Sequence, residues 1–122
     1  MLGWEIVIQR GAIRHPFEMP PAGELVATWL TGPGGTRWLD ELVESKSAIG
    51  LGGDGYPCRY ALTVGALLVT LKSGTPRAHG PPVIGEDYYL PGNWTGANRI
   101  ELEVLQAADP TEILLVEAWD QS

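Results

Sequence analysis

Near the start of the chain Trp4, Ile6 and Ile8 alternate with Glu5 and Gln9. A period of two places apolar side chains on one face of a half-buried strand, so Trp4–Arg10 is expected to be extended. His15-Pro16 and Pro20-Pro21 then exclude regular structure between about residues 14 and 22 and favour polyproline-like backbone. Glu24–Leu30 carries Val, Thr and Trp, which suggests a second strand, although the run is too short for helical periodicity to decide. Gly32-Pro33-Gly34-Gly35 ends it.

Over Arg37–Glu44 the period changes. Trp38, Leu39, Leu42 and Val43 share one helical face, Thr36 is a suitable N-cap, and acids sit in or near the opening turns. A helix is expected over 36–45, burying Leu39 and Leu42. Ile49–Leu51 reads as a short strand, the glycine-rich stretch after it as a turn, and Arg59–Leu62 as an antiparallel return. Thr63 is placed to cap a second helix, Val64–Lys72, stopped at Ser73-Gly74; its Val and Thr content keeps a strand as the alternative. From Gly74 to Gly96 the chain is loop-rich, with Val83-Ile84 and Tyr88-Tyr89-Leu90 as apolar anchors. Ile100-Glu101-Leu102-Glu103-Val104 alternates strictly, and Ile113–Val116 forms a second apolar run. The pair reads as a C-terminal hairpin, with a short helix at 99–107 as the alternative. The expected fold is therefore α+β: a single globular domain over residues 1–122, with an antiparallel or mixed sheet packed by about two helices and joined by long Gly/Pro-rich loops.

Composition narrows this picture. A length of 122 residues suits one domain, and 44% hydrophobic residues suit a folded one. Sixteen glycines and ten prolines without a short period mean many turns and extended loops. The single cysteine, Cys58, excludes an internal disulfide. Met1–Glu5 has no basic leader region, and no apolar run approaches the ~18 residues of a membrane span, so a cytoplasmic location without membrane attachment is expected. Asn93-Trp94-Thr95 matches a glycosylation sequon, which that location makes coincidental.

Eight basic against fifteen acidic residues leave a net charge of −7. A field of that sign repels phosphate backbones, so nucleic acid is not an expected partner; it serves solubility or attracts a basic protein.

Gly50-x-Gly52-x-x-Gly55 has the spacing of a dinucleotide fingerprint but lacks its supports. A helix and only a short strand-like stretch precede it, Tyr56-Pro57 follows at once, and no Asp or Glu lies between Asp54 and Glu86 to hold a ribose. The glycines are expected to serve a turn, and no cofactor is expected. His15, His79 and Cys58 do not share metal-ligand spacing, and Glu86-Asp87 is an isolated acidic pair, so no metal is expected. No serine occupies a Gly-x-Ser-x-Gly elbow. Cys58 beside Arg59 is the one activated-thiol candidate, with a buried or incidental thiol the preferred reading.

Five tryptophans and four tyrosines against one phenylalanine set this chain apart. Trp4, Trp29 and Trp38 lie in regular segments and are expected in the core. Tyr56, Tyr60, Tyr88, Tyr89 and Trp94 lie in or beside the loops, where aromatics with polar handles suit an interface as well as a seal over the core. The expected working surface joins the 54–60 turn to the 79–94 loop, with Asp54, Tyr56, Arg59, His79, Glu86, Asp87, Tyr88 and Trp94 as partner-binding residues. The preferred function is non-catalytic: binding another protein, basic in character, to inhibit or escort it. Immunity proteins of bacterial toxin systems and phage-encoded inhibitors work this way at similar size and charge, an analogy of class without a shared motif. Two alternatives stay open: a small enzyme or ligand-binding domain with a pocket near His79, Asp87, Tyr88 and Cys58, and a phage or assembly subunit.

Overall fold

The alternation at residues 4–8 becomes the middle of a sheet. The computed structural model describes residues 3–10, 24–32, 34–53, 55, 57–73, 76, 83–84, 89–90 and 95–120. Strand β1 (Trp4–Arg10) pairs with β2 (Glu24–Thr31) on one side and with β8 (Ile113–Asp120) on the other. β3 (Ala48–Gly53), β4 (Cys58–Thr63) and β7 (Thr95–Ile100) complete a six-stranded sheet of order β3-β4-β8-β1-β2-β7. Every pairing in it is antiparallel, so the mixed alternative falls away. β5 (Val83–Ile84) and β6 (Tyr89–Leu90) pair separately as a two-residue ladder.

Among the described residues three short α-helices, one more than expected, pack on the sheet through one shared core. The register aligns Ile6 with Trp29 and Ala118, Ile8 with Ala27 and Val116, and Leu62 with Leu114. These side chains form one core with Trp38 and Leu39 of α1 (Arg37–Glu44), Val64 and Leu67 of α2 (Val64–Thr70) and Leu105 of α3 (Leu102–Ala107). Between Ile8 and Gln9 the β1–β2 register slips by one residue, which lets consecutive Val26 and Ala27 both be buried. That slip explains why β2 lacks strict alternation. Trp29 and Trp38 lie at 5.8 Å between ring centroids inside the core, while Trp4 is half-buried at its margin.

The N-termini of α1 and α2 differ in how their first N–H groups are satisfied. Thr63 is extended, and its Oγ1 accepts the Ala66 N–H at 3.1 Å, so the expected cap of α2 forms. The next free donors, the Val64 and Gly65 N–H groups, bond the Glu112 and Pro110 carbonyls at 2.9 and 3.0 Å. The same 109–112 turn is braced by Asp109, whose carboxylate accepts the Thr111 N–H and hydroxyl and is held below its ordinary pKa by them. α2 runs on into a 3₁₀ turn at Leu71–Ser73; Gly74, its expected stop, lies outside the described residues. Thr36 does not cap α1. Its φ of −101° and ψ of −1° are near-helical rather than the extended conformation of a capping residue, and its side chain makes no capping hydrogen bond. The other end of α1 closes in a Schellman motif, Ser47 N–H to Leu42 C=O at 2.8 Å and Lys46 N–H to Val43 C=O at 3.1 Å, with Lys46 at φ 64°. This closure reverses the chain directly into β3.

The C-terminal hairpin is a misreading. β7 stops at Ile100 and residues 102–107 are helical, as in the alternative. Strict alternation from Ile100 to Val104 would send Leu105 to the face opposite Val104. A helix instead lets Leu105 bury completely with Val104 and Ala108 packed beside it. β8, flanked by β4 and β1, has no edge left for such a hairpin.

Candidate functional site

Because α1 turns back into β3 through so tight a closure, the helix lies alongside the edge of the sheet. Between them is an open groove of about 420 Å³. Asp40, Val43 and Glu44 form its helical wall; their i, i+3, i+4 spacing puts them on one face. Gly50, Gly52 and Gly53 of β3 and Cys58, Arg59 and Tyr60 of β4 form the floor.

The floor is largely bare backbone, for two reasons. Gly52 and Gly53 have φ of +91° and +124°, which only glycine adopts readily. Gly50 is different: its φ is not in the positive range, and a Cβ built on it would meet nothing within 4 Å. Glycine within a strand weakens it and often marks a bulge; Gly50 borders the register shift between Gly50 and Gly52, but neither its φ nor a close neighbour demands a glycine. Register places Gly50 directly opposite Tyr60 and Gly53 opposite Cys58, so the phenol and the thiol, both half-buried, share the groove's face.

The electrostatics of the groove are one-sided. Glu41 pairs with Arg37 at 3.5 Å on the exposed side of α1. Among the described residues no cation pairs with Asp40 or Glu44, both exposed. Arg59 lines the groove, but its guanidinium is committed to Glu117 on β8, Nε to Oε2 at 3.1 Å. The Tyr60 hydroxyl is pushed above its ordinary pKa, first by burial and then by the charges of Asp40 and Cys58. The phenol is therefore neutral at pH 7. A cationic side chain entering here would meet two carboxylates and an aromatic ring, with the Arg59 charge already answered by Glu117.

The dinucleotide spacing belongs to this floor. Gly50 and Gly52 lie in β3 itself, and the chain continues into antiparallel β4 rather than into a helix, so no helix N-terminus faces the glycines. The expected turn is shorter than anticipated because β3 extends to Gly53. Gly55, at φ 100°, accepts the Asp120 N–H at 2.8 Å and ties the connection to the end of β8.

Of the expected partner-binding residues, Arg59 is described and stands in the groove. Asp54, Tyr56, His79, Glu86, Asp87, Tyr88 and Trp94 lie outside the described residues, as does the junction of the 54–60 and 79–94 segments. Sequence reasoning missed Asp40, Val43 and Glu44, reading the acids only as partners of the helix dipole. Their shared face was the available signal. Among the described residues no three His, Cys, Asp or Glu gather as a metal site, and no helix is long and apolar enough to cross a membrane. No protein-family model matches the chain, and neither a curated protein nor a solved structure is significantly similar to it.

Proposed function

We propose that this protein binds another protein, basic in character, through the α1–β3 groove and thereby blocks or escorts it. The observation that carries the reading is the pair Asp40 and Glu44, without a cation among the described residues, above a floor that Gly50 leaves open. Glycine in a strand marks a bulge or a close backbone approach, and at Gly50, beside the register shift, the fold brings nothing within 4 Å of a Cβ and leaves space for an incoming chain. The net charge of −7 supports the same reading, since it accelerates encounter with a basic surface and disfavours acidic competitors.

A photo-crosslinking residue placed at position 44 tests this in cells that express the chain, with position 69 on the exposed side of α2 as control. One discrete adduct to a basic protein is expected from position 44, and Asp40→Lys should abolish it. Identical adduct patterns from positions 44 and 69 would remove the groove from the account.

A further inference from the structure

Among the described residues β3 ends the sheet and pairs with β4 alone. An edge strand turns alternate backbone N–H and C=O groups away from its single neighbour, which makes it a template for another chain. Folded proteins blunt such edges with lysine, proline, inward charges or a covering segment. Ala48–Gly53 contains no charge and no proline, and Ile49 through Gly53 are all exposed, Ile49 at 65%. Among the described residues the blunting device on the strand itself is the register shift at Leu51, which leaves Ala48–Gly50 in regular register with β4.

We propose that this edge accepts an additional strand: an extended, basic segment of the partner protein, with cationic side chains against Asp40 and Glu44. The inference rests on the protein-binding reading above and specifies how the contact is made. Spacing supports it. Residues four apart on a helix are about 6 Å apart along its axis, and alternate residues of a strand are about 7 Å apart. Alternate cations on an added strand therefore match the two acids of α1, which lies alongside β3. The missing Cβ at Gly50 leaves room for an aliphatic stem to cross the ring of Tyr60, its neighbour in register.

A second copy of the chain fits this edge poorly. A two-fold axis between antiparallel β3 strands would bring both α1 helices to the same face of the joined sheet. Asp40 and Glu44 of both copies would then border one seam, between chains that each carry −7.

The test titrates the full chain with a capped heptapeptide alternating lysine and valine. Controls are the same peptide with glutamate for lysine, and versions N-methylated at alternate residues in both frames. The lysine peptide should shift the amides of residues 49–53 and slow their hydrogen exchange about tenfold, leaving the amides of β7, at the opposite edge, unchanged. The glutamate peptide should not bind, one N-methylated frame should fail, and Asp40→Lys with Glu44→Lys should weaken binding about tenfold. Both acids are exposed, so the double variant is expected to fold.

Equal binding of both N-methylated frames would overturn strand addition, as would unprotected β3 amides at millimolar peptide. Protection that grows with protein concentration in the absence of peptide would overturn the basic occupant and assign the edge to a second copy. If the edge stays unprotected while the adduct at position 44 persists, strand addition alone fails. Loss of the adduct overturns the protein-binding reading itself.

Discussion

Replacing Gly50 with valine should leave the fold intact or stabilise it slightly, whereas the same change at Gly53, in the same strand, should damage it badly. At Gly50 the new Cβ meets no atom within 4 Å. Removing a strand glycine relieves about 0.5–1 kcal/mol of conformational entropy cost, and a β-branched residue suits an extended backbone. The net expectation is a gain of up to about 1 kcal/mol. At Gly53 φ is +124°, where a β-branched side chain is strained by about 1–3 kcal/mol. The Cβ would also collide with the Pro57 carbonyl oxygen and come within 2.8 Å of the Cys58 Cα, both backbone atoms of the hairpin. A loss of about 3 kcal/mol or more follows. Urea unfolding followed by tryptophan fluorescence separates the two. With a slope of about 1–3 kcal/mol per molar urea, the gain raises the midpoint by up to about 1 M and the loss lowers it by at least about 1 M. If Gly50→Val loses as much as Gly53→Val, the floor is not open and Gly50 serves the strand itself. If instead the variant is stable but no longer captures a partner, the glycine serves the groove rather than the fold.

Leu39 is fully buried and Leu42 half-buried, so Leu39→Ala should cost about 2–5 kcal/mol, with Leu42→Ala milder and Glu41→Ala close to neutral; equal losses in denaturant titrations would mean that α1 packs on another face. Arg59→Gln strands the Glu117 carboxylate, whose side chain is only 12% exposed, and should cost about 1–3 kcal/mol. The double change Arg59→Leu with Glu117→Leu should restore much of that loss, and a double variant weaker than the single one would refute the pair's role. For Tyr60 the folded pKa is raised, so its contribution to stability is fully present below about pH 10 and is lost as pH rises through the folded value. One of the four tyrosines should therefore ionise late in an ultraviolet titration and be the one missing from Tyr60→Phe; four that titrate together would contradict its burial.

Periodicity carried the local elements. The period of two at residues 4–8 and the apolar face of Arg37–Glu44 each needed only near neighbours to be read, because side-chain direction follows backbone repeat. The Thr63 cap was equally legible, since its partner lies three residues away in the chain. The period failed over residues 100–105, where the same apolar spacing serves a strand or a helix. Only the demand that Leu105 reach a core built from distant strands decided between them. Strand order was beyond reach for a similar reason: β8 lies between β1 and β4, both far from it in sequence, and many registers bury the same side chains equally well. Charge and composition determined the sign of the protein's field but not where that field goes unanswered. Asp40 and Glu44 resembled Glu41 in the chain. What separates them is that Arg37 answers Glu41, while β3 folds back beneath the other two with a glycine where a side chain would fit. An open floor is a relation between segments, and only the folded backbone creates it.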